Sequence, residues 1–354
     1  MKTTPRLAVM MTALALTTVT LGACGSSDSD TTSSPDATSS ADETPAAAPP
    51  TSKGGSTTDS PDSADSTETA GKGVARTTPE IKTGVAYADA SKAQTLDLYL
   101  PISDGSKPVP VVVLIHGGAF KFGSSAMEAA HAEALVAKGI AAASVNYRLS
   151  GEATFPAGAQ DVKAAVRWLR ANAATYGLDT DAVGAWGESA GGWMANMLGV
   201  TGDQATVFDD AALGSADQSS AVQAVVSWFG PTDFTTMDAQ ADQTKCSTPD
   251  VHNTADSPES AWLGEAVATS AKAKQTSLPT YLATATALPP WYLAHGDSDC
   301  QVTAGQSAQL KTALDAKGVA ATYEILAGAK HGDPAFDQTQ LAPTVEFLAK
   351  ALGA

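Results

Sequence analysis

Two short glycine-containing motifs, each directly after an apolar run, constrain the fold of this chain more than any other feature. Residues 109–115 are an almost unbroken run of Val, Leu and Ile that ends at the motif HGGAF, residues 116–120. Such a run is typical of a strand buried on both faces of a parallel sheet. A second run, residues 182–186, leads into GESAG, residues 187–191, after which a helix is predicted. The sequence therefore predicts that Ser189 lies on a strand-to-helix turn.

Such a turn suits a nucleophilic serine. It holds the serine in a strained backbone conformation, with the hydroxyl projecting above the edge of the sheet. Gly187 and Gly191 carry no Cβ, so the neighbouring strand and helix can approach closely. We therefore interpret Ser189 as a nucleophile and residues 116–120 as an oxyanion-binding loop.

The charge balance excludes two classes of partner. The 354 residues include 21 Lys and Arg against 38 Asp and Glu, a net charge of −17. Nucleic acid and anionic membrane surfaces would repel such a chain, so no nucleic-acid partner is expected. The sequence has neither a His-x-x-x-His pattern nor a cysteine cluster with ligand spacing. We therefore expect no metal and no other cofactor, while the oligomeric state stays open.

The N-terminus has the composition of an export signal. Lys2 and Arg6 precede an apolar stretch of about 15 residues, which is too short to span a bilayer. Residues 1–23 are therefore predicted to be a signal peptide. The sequence LGAC ending at Cys24 resembles the lipobox of bacterial lipoproteins, which implies lipidation of Cys24 and anchoring on the outer side of the cell membrane. Cleavage after Ala23 without lipidation would instead give a secreted protein.

Residues 24–76 are predicted to be a disordered tether. They are rich in Ser, Thr, Asp, Ala and Pro and contain almost no large apolar side chain. Such a segment cannot bury enough surface to offset the entropy of ordering. A tether of about 50 residues has a root-mean-square span of order 40 Å, enough to hold a domain clear of a membrane. The folded domain is predicted over residues 77–354.

Within that domain the predicted elements alternate between strands and helices. Two opening strands, at 83–88 and 95–100, are expected to pair antiparallel at the edge of a sheet. The later strands are predicted at 109–115, 140–146, 183–186, 222–228, 291–295 and 322–326. The helices are predicted at 126–138, 157–176, 190–198, 303–317 and 343–352. This order predicts an α/β fold, with a mostly parallel, twisted sheet covered by helices on both faces.

An insertion interrupts the alternation at about residues 231–289, where Asp, Ser, Thr and Pro dominate. Insertions of this length in a compact domain are usually functional, so we expect a small cap or rim over the site. A surface loop without a role is the alternative. Cys246 in the insertion and Cys300 after it could form a disulfide, because the protein is expected to be exported. The alternative is two separate thiols.

Activation of a serine requires a base and a group that orients the base. Histidine is the natural base, and His331, in the loop after the last predicted strand, is the expected one. His295 ends a predicted strand, and His116 is expected to shape its loop. His131 and His252 are expected to be solvated.

The orienting acid is expected just after the predicted strand 291–295, at the sheet edge that carries functional loops. Asp299 is the predicted acid. Asp297 is the alternative, although a turn residue that caps backbone amides is the simpler interpretation of it. The chain order Ser189, Asp299, His331 is the order found in the α/β-hydrolase fold.

Several motifs together resemble the α/β-hydrolase superfamily. The similarity is greatest to bacterial esterases related to hormone-sensitive lipase and to bifunctional acetyl xylan and feruloyl esterases. The motifs that carry it are DLYLP at 97–101, HGGAF at 116–120, NYR at 146–148, GESAGG at 187–192, HGDSD at 295–299 and HG at 331–332. The resemblance implies acyl transfer to Ser189, with His331 as the base and Asp299 as its partner. It also implies an oxyanion hole formed by the N–H groups of Gly117, Gly118 and Ala190.

Two departures from the hormone-sensitive lipase pattern leave the substrate open. Ala119 stands where those relatives often carry a third glycine, and no helical N-terminal cap precedes the first strands. The expected function is a serine carboxylic ester hydrolase for small acyl or aryl esters, with acetyl and feruloyl esters of polysaccharide as candidates. The alternatives are a peptidase of the prolyl-oligopeptidase type, which would bring a large N-terminal domain, and a non-catalytic surface binding protein.

Overall fold

The computed structural model describes residues 71–241 and 246–354. The predicted signal peptide, Cys24 and most of the predicted tether lie outside the described residues. Within the described ranges, no helix combines the length and the apolar character needed to cross a bilayer.

A twisted sheet forms the centre of the domain. The strands of the described residues are β1 (Ala75–Arg76), β2 (Glu80–Ala86), β3 (Thr95–Leu100), β4 (Ser103–Asp104), β5 (Val109–Ile115), β6 (Ala141–Val145), β7 (Leu178–Glu188), β8 (Ala224–Trp228), β9 (Trp291–Gly296) and β10 (Ala321–Leu326). Eight of these form one sheet in the order β10-β9-β8-β7-β5-β6-β3-β2. The six strands from β10 to β6 run parallel, while β3 and β2 add antiparallel at one edge, as the sequence predicted.

Helices cover both faces of this sheet. The helices of the described residues are α1 (Ala129–Ala137), α2 (Ala157–Ala171), α3 (Ala173–Tyr176), α4 (Ala190–Thr201), α5 (Met237–Ala241), α6 (Pro258–Leu263), α7 (Leu278–Thr284), α8 (Gly305–Ala316) and α9 (Ala335–Leu352). Alternate residues of β5 enter two different cores: Val113 packs in the core beneath α2, α4 and α8, and Leu114 in the core beneath α1 and α9. A mostly parallel sheet with a helix-covered core on each face confirms the predicted α/β-hydrolase fold. Strands buried on both faces need such cover.

The paired structure begins two residues before the predicted start of the folded domain at residue 77. Ala75–Arg76 pairs antiparallel with Ser103–Asp104, so the ordered chain includes both residues. The Arg76 guanidinium is buried and donates to the backbone carbonyl of Tyr176. This attachment uses backbone pairing and one buried cation, neither of which the apolar pattern of the sequence reveals.

The last helix begins eight residues before the predicted position. The sequence predicts this helix at 343–352, but α9 begins at Ala335 and Pro343 lies in its interior. Pro343 and Thr339, whose carbonyl loses its helical partner, both face solvent. Phe336 and Leu348 are buried on either side of the proline. Their packing on the sheet holds the helix continuous across it.

The insertion packs into the domain and is tied to the loop that carries Asp299. It contains α5, α6 and α7, and its Trp262 and Leu278 are fully buried. A disulfide joins Cys246 to Cys300. Beside it, the backbone N–H of Asp250 donates to the carbonyl of Cys300 at 2.9 Å.

The disulfide should contribute strongly to stability because it closes a loop of 54 residues. In the chain-entropy model a loop of this length is worth about 4 kcal/mol. We therefore expect the C246S/C300S variant to have a free energy of unfolding lower by about that amount in urea titrations. Reductant should destabilise the wild type and leave the variant unaffected. Equal stability of the two proteins without reductant would contradict the expectation.

Candidate active site

Ser189 lies at the junction of β7 and α4 in a strained conformation. Its φ is +52°, a region that costs a non-glycine residue about 1–3 kcal/mol. A hydrogen bond from its N–H to the carbonyl of Trp228 on β8, at 3.0 Å, holds the turn. A Cβ on Gly187 would collide with the carbonyl of Gly191, and a Cβ on Gly191 would collide with the carbonyl of Ile115. These close backbone contacts explain why both positions need glycine.

The structure brings Ser189, His331 and Asp299 into one hydrogen-bonded chain. His331 Nε2 lies 2.8 Å from Ser189 Oγ, and its Nδ1 lies 2.7 Å from Asp299 Oδ2. A carboxylate accepts hydrogen bonds, so Nδ1 carries the proton and Nε2 presents its lone pair to the serine hydroxyl. Asp297 instead accepts from the N–H of Gly328 at 2.7 Å, which is the amide-capping role expected of it.

The carboxylate of Asp299 is buried and surrounded by donors. Its Oδ1 accepts from the N–H groups of Gln301 and Val302, each at 2.9 Å. Burial by itself would raise the pKa of Asp299, but hydrogen bonds from His295 and His331 outweigh it and hold the pKa well below its usual range. Asp299 is therefore a stable anion beside the imidazole.

His295 and Phe229 support this set, and neither role was predicted. His295 is buried, with Nε2 2.7 Å from the carbonyl of Val302 and 3.4 Å from Asp299 Oδ2. Because a carbonyl only accepts, Nε2 carries the proton and also faces the carboxylate. The ring of Phe229 meets the His331 ring edge to face at 4.8 Å. The strand-terminal position of His295 hinted at its placement, whereas nothing in the sequence hints at the role of Phe229.

The predicted oxyanion loop passes directly beside the serine. A Cβ on Gly117 would lie 3.1 Å from the carbonyl of Glu188 and 3.2 Å from Ser189 Cβ, which shows how closely the two backbones approach. Gly118 has φ +109°. Ala190 is the first residue of α4, where N–H groups have no intrahelical partner. The three predicted amide donors thus lie on the two segments that flank Ser189.

Side chains on both sides fix the shape of this loop. The buried ring of His116 stacks on Tyr147 at 4.4 Å, and the Tyr147 hydroxyl donates to the His116 carbonyl at 2.9 Å. Ala119 and Phe120 both have positive φ, +54° and +59°. The Phe120 ring stacks on Trp262 of α6 at 4.1 Å. The insertion therefore helps to hold a strained part of the loop.

His131 is buried behind the serine turn, so its predicted exposure to solvent is wrong. Its Nδ1 lies 2.8 Å from Glu128, and its Nε2 lies 2.9 Å from Asp337 and 3.7 Å from Glu188. Burial alone would lower the pKa of His131, but these carboxylates raise it to about 9. Burial and the nearby Glu128 raise the pKa of Glu188, the neighbour of Ser189, to about 8. The sequence offered no signal, because Asp337 is 206 residues from His131.

The same cluster is a candidate metal site that the donor geometry does not favour. Among the described residues, Glu128, His131 and Glu188 present ligand-type atoms within 4.8 Å of one another. A histidine ligand needs one bare ring nitrogen, whereas both nitrogens of His131 face carboxylates. That arrangement fits an imidazolium that donates on both sides.

A pocket of about 440 Å³ opens over Ser189 and His331. One part of its lining comes from the oxyanion loop, at Ala119 and Phe120. The rest comes largely from the insertion and is rich in polar side chains: Asp250, Val251, His252, Thr254, Asp256, Ser257, Pro258 and Glu259.

His252 in this lining is also buried, contrary to the solvated position predicted for it. Its side chain lies against Glu259, with Nδ1 3.0 Å from Oε2. Burial alone would lower the pKa of His252, but the carboxylate of Glu259 raises it above its ordinary value. His252 is therefore a partner of Glu259 in the wall of the pocket.

Comparisons with known proteins agree with the fold and the motifs. Residues 96–314 match the model of the BD-FAE family. Esterase LipC of Mycobacterium tuberculosis is 29% identical over 267 residues, which are 75% of this chain and 63% of that protein. The structure of a bifunctional GH43-CE protein of Bacteroides eggerthii is 33% identical, with TM-score 0.68, and covers 77% of this chain and 38% of its own. A truncated carbohydrate esterase from gut microbiota is 30% identical, with TM-score 0.68, and covers 80% and 100% respectively. The chain therefore spans less than two thirds of LipC and of the B. eggerthii protein.

The ion cluster around His131 should make stability depend on pH. The folded-state pKa of about 9 exceeds the ordinary value of 6.5, so the stabilisation is complete below pH 6.5 and is lost as the pH rises through 9. We expect the free energy of unfolding of His131→Gln to fall below that of wild type at pH 6. This gap should shrink by up to about 3 kcal/mol by pH 10 in urea titrations.

Glu133→Gln is the matched control, because Glu133 lies on the same helix but faces solvent. Its difference from wild type should stay constant over this pH range, since an exposed carboxylate is ionised throughout it. A gap between His131→Gln and wild type that is independent of pH would contradict the assignment of an imidazolium.

Proposed function

Because the chain belongs to the BD-FAE family, we propose that it is a serine carboxylic ester hydrolase. One observation carries the proposal: a strained serine hydroxyl lies 2.8 Å from an imidazole whose other nitrogen lies 2.7 Å from a buried carboxylate. This arrangement has the two contacts required for nucleophilic acyl transfer, one from nucleophile to base and one from base to orienting acid.

In the proposed reaction, Ser189 Oγ attacks the ester carbonyl carbon while His331 Nε2 accepts the hydroxyl proton. The negative charge that develops on the carbonyl oxygen accepts hydrogen bonds from the N–H groups of Gly117, Gly118 and Ala190. His331 then gives its proton to the departing alcohol, which leaves an acyl-serine. A water molecule, deprotonated by the same imidazole, then attacks the acyl carbon. The bond to Ser189 Oγ breaks, the acid leaves, and the imidazolium returns its proton to Ser189.

Asp299 stays ionised throughout the proposed cycle. Its low pKa means that the proton on His331 Nδ1 is not transferred to it. The carboxylate holds the imidazole with Nε2 towards the serine and stabilises the imidazolium that forms. The hydrogen bonds from His295, Gln301 and Val302 keep the carboxylate in place during these changes of charge.

We propose small acyl and aryl esters as the substrate class, with acetyl and feruloyl esters of polysaccharide as the natural candidates. Two similar structures are described as a carbohydrate esterase and as a bifunctional GH43-CE protein. The pocket of about 440 Å³ has room for a small acyl group and part of its alcohol. Its lining combines apolar and polar side chains, which suits a short acyl group next to a polar alcohol.

The N-terminal sequence supports a location for this activity. We propose that the protein is exported and carries a lipid on Cys24, with residues after it as a tether. Cys24→Ser should move the protein from the membrane fraction to the soluble extracellular fraction, because the thiol is the acceptor of the lipid. Fractionation followed by intact-mass measurement of the N-terminal peptide tests this. An unmodified Cys24 in the wild type would refute lipidation.

Ser189→Ala should abolish esterase activity. Loss of the nucleophile in a serine hydrolase lowers kcat by about 10⁴- to 10⁶-fold, so hydrolysis of p-nitrophenyl acetate should fall by that order. A serine-reactive phosphonate should add one adduct to the wild type and none to the variant, as measured by intact mass.

Ser106→Ala is the control, since Ser106 is an exposed serine in the loop before β5. It should keep both turnover and labelling. Near wild-type turnover by pure Ser189→Ala protein would refute the proposed mechanism. Cleavage of proline-containing peptides in preference to acetylated xylan and methyl ferulate would favour a peptidase. No turnover of any of these substrates would favour a binding protein.

A further inference from the structure

The insertion wall of the pocket contains a donor and an acceptor that are buried but not hydrogen-bonded to each other. His252 and Glu259 are 5% and 6% exposed, and both line the pocket. Nδ1 of His252 and Oε2 of Glu259 lie 3.0 Å apart, yet the angles of this contact do not form a hydrogen bond, and neither atom has another partner in the described residues. Buried polar groups normally have hydrogen-bond partners, so an ion pair in a pocket wall that lacks hydrogen-bond geometry points to a ligand.

The surrounding structure holds the pair rigidly. The Asp238 carboxylate accepts from the N–H groups of His252 and Asn253 at 2.7 and 3.1 Å. Ser257 Oγ donates to the His252 carbonyl at 2.7 Å and accepts from the N–H of Ser260 at the start of α6. Both ends of the short loop are therefore fixed, and the pair needs little reorganisation when a ligand binds.

The position of this pair relative to the reacting serine is also fixed. Glu259 lies in the first turn of α6, and Trp262 in the same helix stacks on Phe120 of the oxyanion loop. At the other end, Asp250 is bonded to the Cys300 carbonyl, next to Asp299. The wall is therefore held at a set distance from both sides of the catalytic set.

We propose that His252 and Glu259 form a subsite for neighbouring hydroxyl groups of a neutral sugar, the alcohol part of the ester. A hydroxyl group both donates and accepts, so two adjacent hydroxyls match a carboxylate acceptor beside an imidazole donor. The hydroxyl-rich part of a polysaccharide ester is the sugar and not the acetyl or feruloyl group. The carboxylates of Asp250 and Asp256 line the same pocket and disfavour an acidic sugar. This inference rests on the proposed esterase function.

The test compares two esters in Glu259→Gln and in a matched control. The measured quantity is kcat/KM for a monoacetylated methyl xyloside divided by kcat/KM for p-nitrophenyl acetate, which has no sugar hydroxyls. Loss of one charge-assisted hydrogen bond should lower this ratio about 10- to 100-fold, mainly through KM of the xyloside ester. Glu265→Gln removes an exposed carboxylate in the same insertion, outside the pocket lining, and should leave the ratio at the wild-type value.

Failure of the subsite and failure of the proposed function give different results. Wild-type protein that hydrolyses neither ester refutes the esterase function. Ser189-dependent hydrolysis with a ratio that Glu259→Gln and His252→Asn leave unchanged overturns the subsite alone.

Inhibition of the wild type keeps the test decisive if both variants fail to fold. Methyl xyloside should compete with p-nitrophenyl acetate, whereas cyclohexanol and galacturonic acid should compete at least about tenfold more weakly. Equal inhibition by methyl xyloside and cyclohexanol would also overturn the subsite.

Discussion

The strained turn at Ser189 is the constraint on which the rest of the structure depends. A residue with φ +52° keeps that conformation only if its surroundings leave no other choice. Here the N–H of Ser189 is bonded to β8, and Gly191 passes against the carbonyl of Ile115 at the end of β5. The turn thus lies where β5, β7 and β8 end together in the middle of the sheet. A parallel sheet buried on both faces provides that rigidity, which explains why buried strands lead into both motifs.

The insertion acts on the site through contacts that are distant in sequence. Trp262 supports the positive-φ segment of the oxyanion loop, and the disulfide joins the insertion to the loop of Asp299. Two parts of the proposed catalytic set are therefore held by the segment that also forms the pocket wall. Under the proposed function, a change in this segment would alter both substrate selection and the geometry of catalysis. Such coupling limits which substitutions the pocket wall can accept before the loop at residues 116–120 changes its conformation.

The sequence was sufficient for the fold and for the prediction that Ser189, Asp299 and His331 lie close together, because the signal for each is local. Buried parallel strands require apolar runs, and the turn at Ser189 requires small residues at fixed spacing. Asp299 and His331 follow strands whose ends meet at the same edge of the sheet. Among the histidines, the errors concern His131 and His252, whose partners are set by tertiary packing. The alanine-rich helix around His131 gives no sign that Asp337, 206 residues away, will reach this histidine. The polar insertion around His252 likewise gives no sign that Glu259 will cover it.

Charge placement limits the negative potential around Ser189 in this strongly acidic chain. Asp299 is ionised next to His331, and Glu188 precedes Ser189 in the chain. In the proposed mechanism, added negative charge near Ser189 would oppose formation of the oxyanion. The buried imidazolium of His131 faces Glu128, Glu188 and Asp337 and offsets part of that charge. Glu188 also has a pKa of about 8, which leaves it largely protonated at neutral pH. The negative potential next to Ser189 is thereby limited, while Asp299 stays ionised beside His331.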